Sequence, residues 1–189
     1  GLGDVYKRQV MSRALRALRQ LPFPVIAAIN GNAFGGGCEI ITACDLRVAG
    51  EQTHFSFAQV RNGLTTGWGG TTRLVQLIGL SRATELLLSG RVFAAQEAYE
   101  FGLLHRLVPQ EENVLHAAQA WAAELANLPA GTLAALKELL VAAAALPQEE
   151  VQKIETRLFM EQWASPDHLE ALAAFYEKRR PVFNQAQKR

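Results

Sequence analysis

Apolar residues along this chain change their spacing several times, and each change marks an element. Between Val10 and Leu21, Met11, Leu15 and Leu18 share one face while Arg13, Arg16 and Arg19 share another, which predicts an amphipathic helix stopped near Pro22. Val25 to Ile29 is a short apolar run with β-branched residues, bounded by Pro24 and by Asn30-Gly31, and reads as a buried strand. Gly35, Gly36 and Gly37 then turn the chain into a helical stretch from Cys38 to Cys44. Leu46 to Ala49 and Thr53 to Phe57 predict two short strands around the polar turn Gly50-Glu51-Gln52. Helices follow over Thr72 to Ile78, capped by Thr71, over Ser81 to Ser89, ended by Gly90, and over Ala94 to Phe101, closed by Gly102.

From Glu111 onward the period is helical throughout. Val114, Ala118, Trp121, Leu125 and Leu128 alternate steps of four and three and form one apolar stripe. Gly131 to Ala145 predicts a second helix, and Pro147 separates it from a third that carries Val151, Ile154 and Leu158 on one face. Ser165-Pro166-Asp167 is a helix start with a cap, a first-position proline and an early acid; the helix it opens carries Leu169, Leu172 and Phe175.

Composition narrows the functional classes. A chain of 189 residues that is 49% hydrophobic and 20% charged has enough apolar matter for one sizeable core with a helical extension. The net charge of +1, without a lysine-rich surface helix, argues against nucleic acid and acidic membranes as partners. Cys38 and Cys44 lie too far apart along a helix for a disulfide, and no ligand cluster stands at metal spacing. With no membrane-length apolar run and no targeting pattern over Gly1 to Gln9, a metal-free cytoplasmic protein is expected.

The candidate chemistry lies at the glycines. The first N–H groups of a helix lack internal partners and carry the positive end of its dipole, and three residues without side chains let a negative oxygen approach them. A bare Gly-Gly-Gly also suits a mobile connection, with Glu39 merely complementing the dipole. The full string from Pro24 to Asp45, Pro-Val-Ile-Ala-Ala-Ile-Asn-Gly-Asn-Ala-Phe-Gly-Gly-Gly-Cys-Glu-Ile-Ile-Thr-Ala-Cys-Asp, resembles the signature of the crotonase family, the enoyl-CoA hydratase/isomerase superfamily.

That resemblance implies an α/β fold of repeated ββα turns with a helical C-terminal region, acting on acyl-CoA thioesters without a further cofactor. It makes the Gly36 N–H one of two backbone donors to the thioester oxygen and Glu39 an acid/base glutamate in a largely apolar surround. Ala33, Phe34, Gly35 and Gly37 would line the substrate. A second glycine-rich connection, Gly63 to Gly70, lacks the ending of a phosphate-binding loop and the spacing of a dinucleotide site. Its Gly69-Gly70-Thr71 followed by Arg73-Leu74 resembles the family's Gly-Gly-Thr-x-Arg-Leu string, with Gly67 and Trp68 at the substrate.

The second glutamate position of the hydratases falls on Gln59, whose amide cannot exchange a proton but can orient water or a substrate group. The string Trp68-Gly69-Gly70-Thr71-Thr72-Arg73-Leu74 also looks like the ethylmalonyl-CoA decarboxylase branch. The ending Phe175 to Phe183 resembles the family's Phe-x-Glu-Lys-Arg-x-Pro-x-Phe, which packs between subunits of a trimer or hexamer and brings Lys178 to the CoA; a solvated basic tail is the plainer reading. The expected organisation is therefore a segment 1–9 unlike the family, a partial crotonase core over 10–110 and a helical oligomerisation region over 111–189. Residues 1–9 stand where the family has further strands and its other oxyanion donor, so a chain starting here is expected to be inactive. A non-catalytic or RNA-binding homologue is the alternative of a different class.

Overall fold

The structure, a computed structural model, describes residues 2–184. The chain divides into two units, Gly1–Leu21 with Val25–Trp121, and Pro22–Pro24 with Ala122–Arg189.

The first unit opens with α1, Leu2–Gln20, which starts well before the Val10 expected from the apolar spacing. Two turns of strand, strand and helix follow. The first holds β1 (Ile26–Ile29), β2 (Ala33–Phe34) and α2 (Gly36–Ile41); the second holds β3 (Leu46–Gly50), β4 (His54–Ser56), a short 3-10 helix (Ala58–Asn62) and α3 (Gly70–Ser89). The turns stack in register, Ile26 beside Leu46 in one sheet and Ala33 beside Phe55 in the other, both parallel. β5 (Phe93–Ala94) adds to β4 antiparallel, α4 (Ala95–Glu100) follows, and β6 (Arg106–Val108) adds to β3 parallel.

Three consecutive residues of β3, Arg47, Val48 and Ala49, are buried, so this run lacks the alternation of a half-exposed strand, as parallel strands covered on both faces do. Between them lie Ile29, Cys38, Phe55, Phe57, Leu74 and Leu86, all in one buried cluster. The Phe55 and Phe93 rings stack within it, centroids 5.7 Å apart.

Two polar contacts fix the start of each turn. Asp45 accepts from the Val25 N–H at 2.7 Å, tying the entry of β1 to that of β3. Arg47 is the buried charge that sequence reading left unremarked on β3. Its guanidinium donates to the carbonyls of Leu103 and Cys44, each at 2.6 Å, and its own N–H donates to His105 Nδ1 at 3.2 Å. Burial pushes Arg47 down to about 10, which leaves it charged at neutral pH. His105 is exposed, and its ring supports the β3 backbone.

The two helices expected over Thr72 to Ile78 and Ser81 to Ser89 form one element, α3, broken at Gly79, where φ is 79° and ψ 161°. Its cap is Gly69 rather than Thr71: with φ at 82°, a conformation open to glycine, the chain enters the helix sooner. The Thr71 hydroxyl instead bonds the Thr66 hydroxyl at 2.6 Å.

The helix α5, Val114–Ala126, runs across the division between the units and ends before Leu128, the last residue of the expected stripe. In the second unit, α6 (Ala130–Ala143) packs against α7 (Gln148–Trp163), and α8 (Pro166–Tyr176) begins at Ser165, whose hydroxyl accepts from the His168 N–H at 3.2 Å. Asn184 accepts from the Ala130 N–H and donates to the Leu128 carbonyl and to Asp167, at 2.8, 3.0 and 2.9 Å. On α8, Ala174 is buried within the unit, while the apolar stripe of Leu169, Leu172 and Phe175 faces outward. Arg179 holds Glu170 through both guanidinium nitrogens, and this pairing lowers the Glu170 carboxyl to about 2.

Candidate active site

The exit of β2 delivers the first glycines. Gly35 takes φ 51°, donates its N–H to the Ser56 carbonyl at 2.8 Å and caps α2. The helix then starts at Gly36, and the N–H groups of Gly36 and Gly37 make no hydrogen bond among the described residues. These are the bare donors anticipated from the sequence. Cys38, one turn in, sends its thiol to the Ala33 carbonyl at 2.9 Å; burial pushes it up to about 12, so it is a core thiol and no nucleophile. Cys44 is half-buried and outside the helix, with its thiol 3.9 Å from the Ile40 carbonyl.

Glu39 is 3% exposed, yet its surround is polar rather than the apolar one expected. Oε1 accepts from the Gly67 N–H at 3.0 Å and from Gln59 Nε2 at 3.2 Å; Oε2 accepts from the N–H groups of Trp68 at 2.8 Å and Gly70 at 3.0 Å. Each carboxylate oxygen thus has two donors. The second glycine cluster exists for this approach. A Cβ on Gly70 would lie 2.6 Å from Glu39 Cγ and 2.8 Å from Oε2.

The two clusters also meet directly. A Cβ on Gly36 would lie 2.5 Å from the Trp68 ring, so the indole rests on the glycine whose N–H is open. Gln59, on the short 3-10 helix, turns its amide nitrogen to Glu39, leaving its Oε1 buried without a partner. Gly67 is held from its carbonyl side by Arg8 Nε at 3.2 Å and the Ser12 hydroxyl at 3.4 Å.

Of the predicted site residues, Gly36, Glu39, Gln59, Gly67 and Trp68 come together through these contacts. Ala33 is buried beside Cys38, Phe34 is half exposed on β2, and Gly37 faces the Ala33 methyl. Lys178 lies in the helical unit, exposed, with φ at 54°. Sequence reasoning missed the Gly70 N–H and gave Arg73 no task. Arg73 is buried and donates to the Thr42 hydroxyl at 3.0 Å, the Trp68 carbonyl at 2.9 Å and the Glu39 carbonyl at 3.0 Å. Burial lowers its basicity, as does Arg19, while Glu39 opposes the shift. Among the described residues no group of three or more His, Cys, Asp or Glu could hold a metal ion, and no single helix is long and apolar enough to cross a membrane.

A model of the enoyl-CoA hydratase/isomerase family matches residues 4–187. The chain belongs to the enoyl-CoA hydratase/isomerase family. The fold of this family member is the crotonase fold, and a solved enoyl-CoA hydratase from Bacillus anthracis superposes with a TM-score of 0.92 at 34% identity, over 97% of this chain and 70% of that one. Among curated relatives, a probable mitochondrial enoyl-CoA hydratase of Dictyostelium discoideum is 37% identical over 183 residues, 97% of this chain and 65% of its own length. An ethylmalonyl-CoA decarboxylase of Gallus gallus is 35% identical over 164 residues, 86% of this chain and 55% of its own. The chain thus spans less than two thirds of the length of these two relatives.

Proposed function

We propose that this family member binds acyl-CoA thioesters and stabilises the thioester enolate, as an enoyl-CoA hydratase/isomerase. The observation that carries the reading is the unpartnered Gly36 N–H close to a buried carboxylate, with Trp68 in contact with both residues. Moving a proton at the carbon beside a thioester carbonyl drives charge onto its oxygen, and a fixed N–H donor stabilises that charge more than the ground state. Loss of one such donor typically costs about 3–4 kcal/mol of transition-state stabilisation.

In hydration, the water oxygen bonds to the far carbon of the double bond, the water gives up a proton, and a proton reaches the near carbon. Glu39 is the proton carrier in this reading. Its hydrogen bond from Gln59 is the longest of its four and the one that comes from a side chain, so release of that amide opens Oε1 to the substrate. The unpartnered Gln59 Oε1 then accepts from the water or from the product hydroxyl. Ala33, Phe34, Gly35, Gly37, Gly67 and Trp68 are assigned to the substrate; the role of Lys178 at the CoA rests on the resemblance of its string alone. No cofactor beyond the CoA of the substrate enters the chemistry, and a cytoplasmic location belongs to the same reading.

A second reading, decarboxylation of an alkylmalonyl-CoA, is favoured by the amide at Gln59 and the chicken relative. Wild type and Gln59→Glu assayed on a short enoyl-CoA and on an alkylmalonyl-CoA decide between them. A hydratase short of one carboxylate gains about 10²-fold in the variant, the usual yield of a placed acid/base group. Malonyl decarboxylation by wild type, lost in the variant without a gain in hydration, establishes the second reading; no turnover on either substrate by the full-length protein overturns both.

The outward Phe159, Met160, Trp163, Leu169, Phe175 and Tyr176 support assembly as a homotrimer or hexamer. Sedimentation of a monomer at micromolar concentration would remove that part of the proposal.

A further inference from the structure

Arg73 is a buried cation whose three hydrogen bonds among the described residues end on neutral acceptors, so the Glu39 charge acts on it without a direct ion pair. What the three acceptors have in common is position. The Glu39 carbonyl and the Thr42 hydroxyl belong to the last turn of α2 and its cap, and the Trp68 carbonyl belongs to the turn that grips the Glu39 carboxylate. The guanidinium therefore holds the main chain of Glu39, while the peptide that it holds on the other side donates to the side chain of Glu39. The seat is shaped for it, since a Cβ on Gly69 would lie 2.8 Å from Arg73 Nη1.

We propose that Arg73 is the positioning residue of this site, locking α2 to the second glycine turn so that three N–H groups meet the Glu39 carboxylate and the Trp68 ring rests on Gly36. It touches no substrate. Its planar fork, with donors in fixed directions, suits three acceptors on two segments in a way that the single ammonium of lysine does not. The proposal rests on the acyl-thioester reading only for its catalytic consequence; the positioning itself is a property of the free protein.

The test pairs kinetics with a local reporter. In a Trp121→Phe, Trp163→Phe background, the remaining Trp68 reports its own packing by emission and near-ultraviolet dichroism. Arg73→Lys should lower kcat on a short enoyl-CoA by about 10²-fold, the effect of misplacing reacting groups by about 1 Å, with KM changed less than about threefold. It should also shift the Trp68 emission. Thr42→Val, which removes one acceptor and leaves the guanidinium, should move both readouts in the same direction and by less, and it serves where Arg73→Lys does not fold. Wild-type kcat in the folded Arg73→Lys protein, or a lost kcat with Trp68 unshifted, overturns the proposal. If wild type binds no acyl-CoA, the thioester reading fails, while an unshifted Trp68 in Arg73→Lys would independently refute the positioning.

Discussion

The two glycine clusters of the first unit look alike in sequence and do opposite things. At Gly36 and Gly37 the chain leaves backbone N–H groups without partners among the described residues; at Gly67, Trp68 and Gly70 the donors are filled by Glu39. The first kind of glycine turn is a site for something that arrives, the second a socket for something the protein already has. The difference is not in the glycines but in whether a carboxylate from another segment reaches them. Both clusters are close-fitted all the same, one to an indole and the other to a carboxylate.

Glu39→Gln should disturb the socket most. Turnover is expected to fall about 10³-fold through loss of the proton carrier. An amide has one oxygen where the carboxylate has two, so two donors are left facing an NH2 group, and the melting curve should reveal a loss of about 1–3 kcal/mol. Unchanged stability in the variant would show that the four donors do not act together.

Gly36→Ala comes next, with a loss of about 10²-fold, because its Cβ would lie 2.5 Å from the Trp68 ring and push the open N–H out of place. Here the comparison can be sharpened. Adding Trp68→Leu should return part of the activity lost in Gly36→Ala, and a double-mutant cycle measures that coupling. Purely additive losses would mean that the indole and the glycine act separately. For Gly70→Ala the obstacle is Glu39 Cγ at 2.6 Å on a side chain held by four donors, so a loss of about 10²-fold is expected here too, with no rescue by Trp68→Leu.

The smallest effect concerns the thiols within and just after the first cluster's helix. With Cys38 pushed up to about 12 by burial, an alkylating reagent at pH 8 should label Cys44 alone in the folded protein. Mass spectrometry showing Cys38 labelled at the same rate would mean that the start of α2 opens readily.

What could be read beforehand was mostly local. The apolar run at Val25, the glycines before Cys38 and the cap at Ser165 each state their structure within a few residues, and they sit where expected. Glu39 and Gln59 could be named because a long string surrounds them. The socket itself joins positions 28 to 31 residues apart, and no spacing rule announces it. Arg47 and Arg73 escaped for the same reason: a charged side chain in a short strand or first helical turn reads as solvent-facing until its carbonyl acceptors are known. On α8 the apolar spacing was real but pointed outward, because period reports only that a face is apolar and not whether this unit covers it.

The stacking of parallel strands has a kinetic consequence. No hairpin joins β3 to β6; the bond between Arg47 and His105 closes a stretch of 58 residues, and that loop entropy is lost before the pairing returns anything. The β1–β3 pair can form from nearby segments, whereas β6 must wait for α3 and α4 to fold over the core. In that interval β3 is an uncovered edge with its amides unpaired, open to a strand from another nascent chain. The yield of refolded protein should therefore fall as chain concentration rises, even though the finished sheet hides that edge.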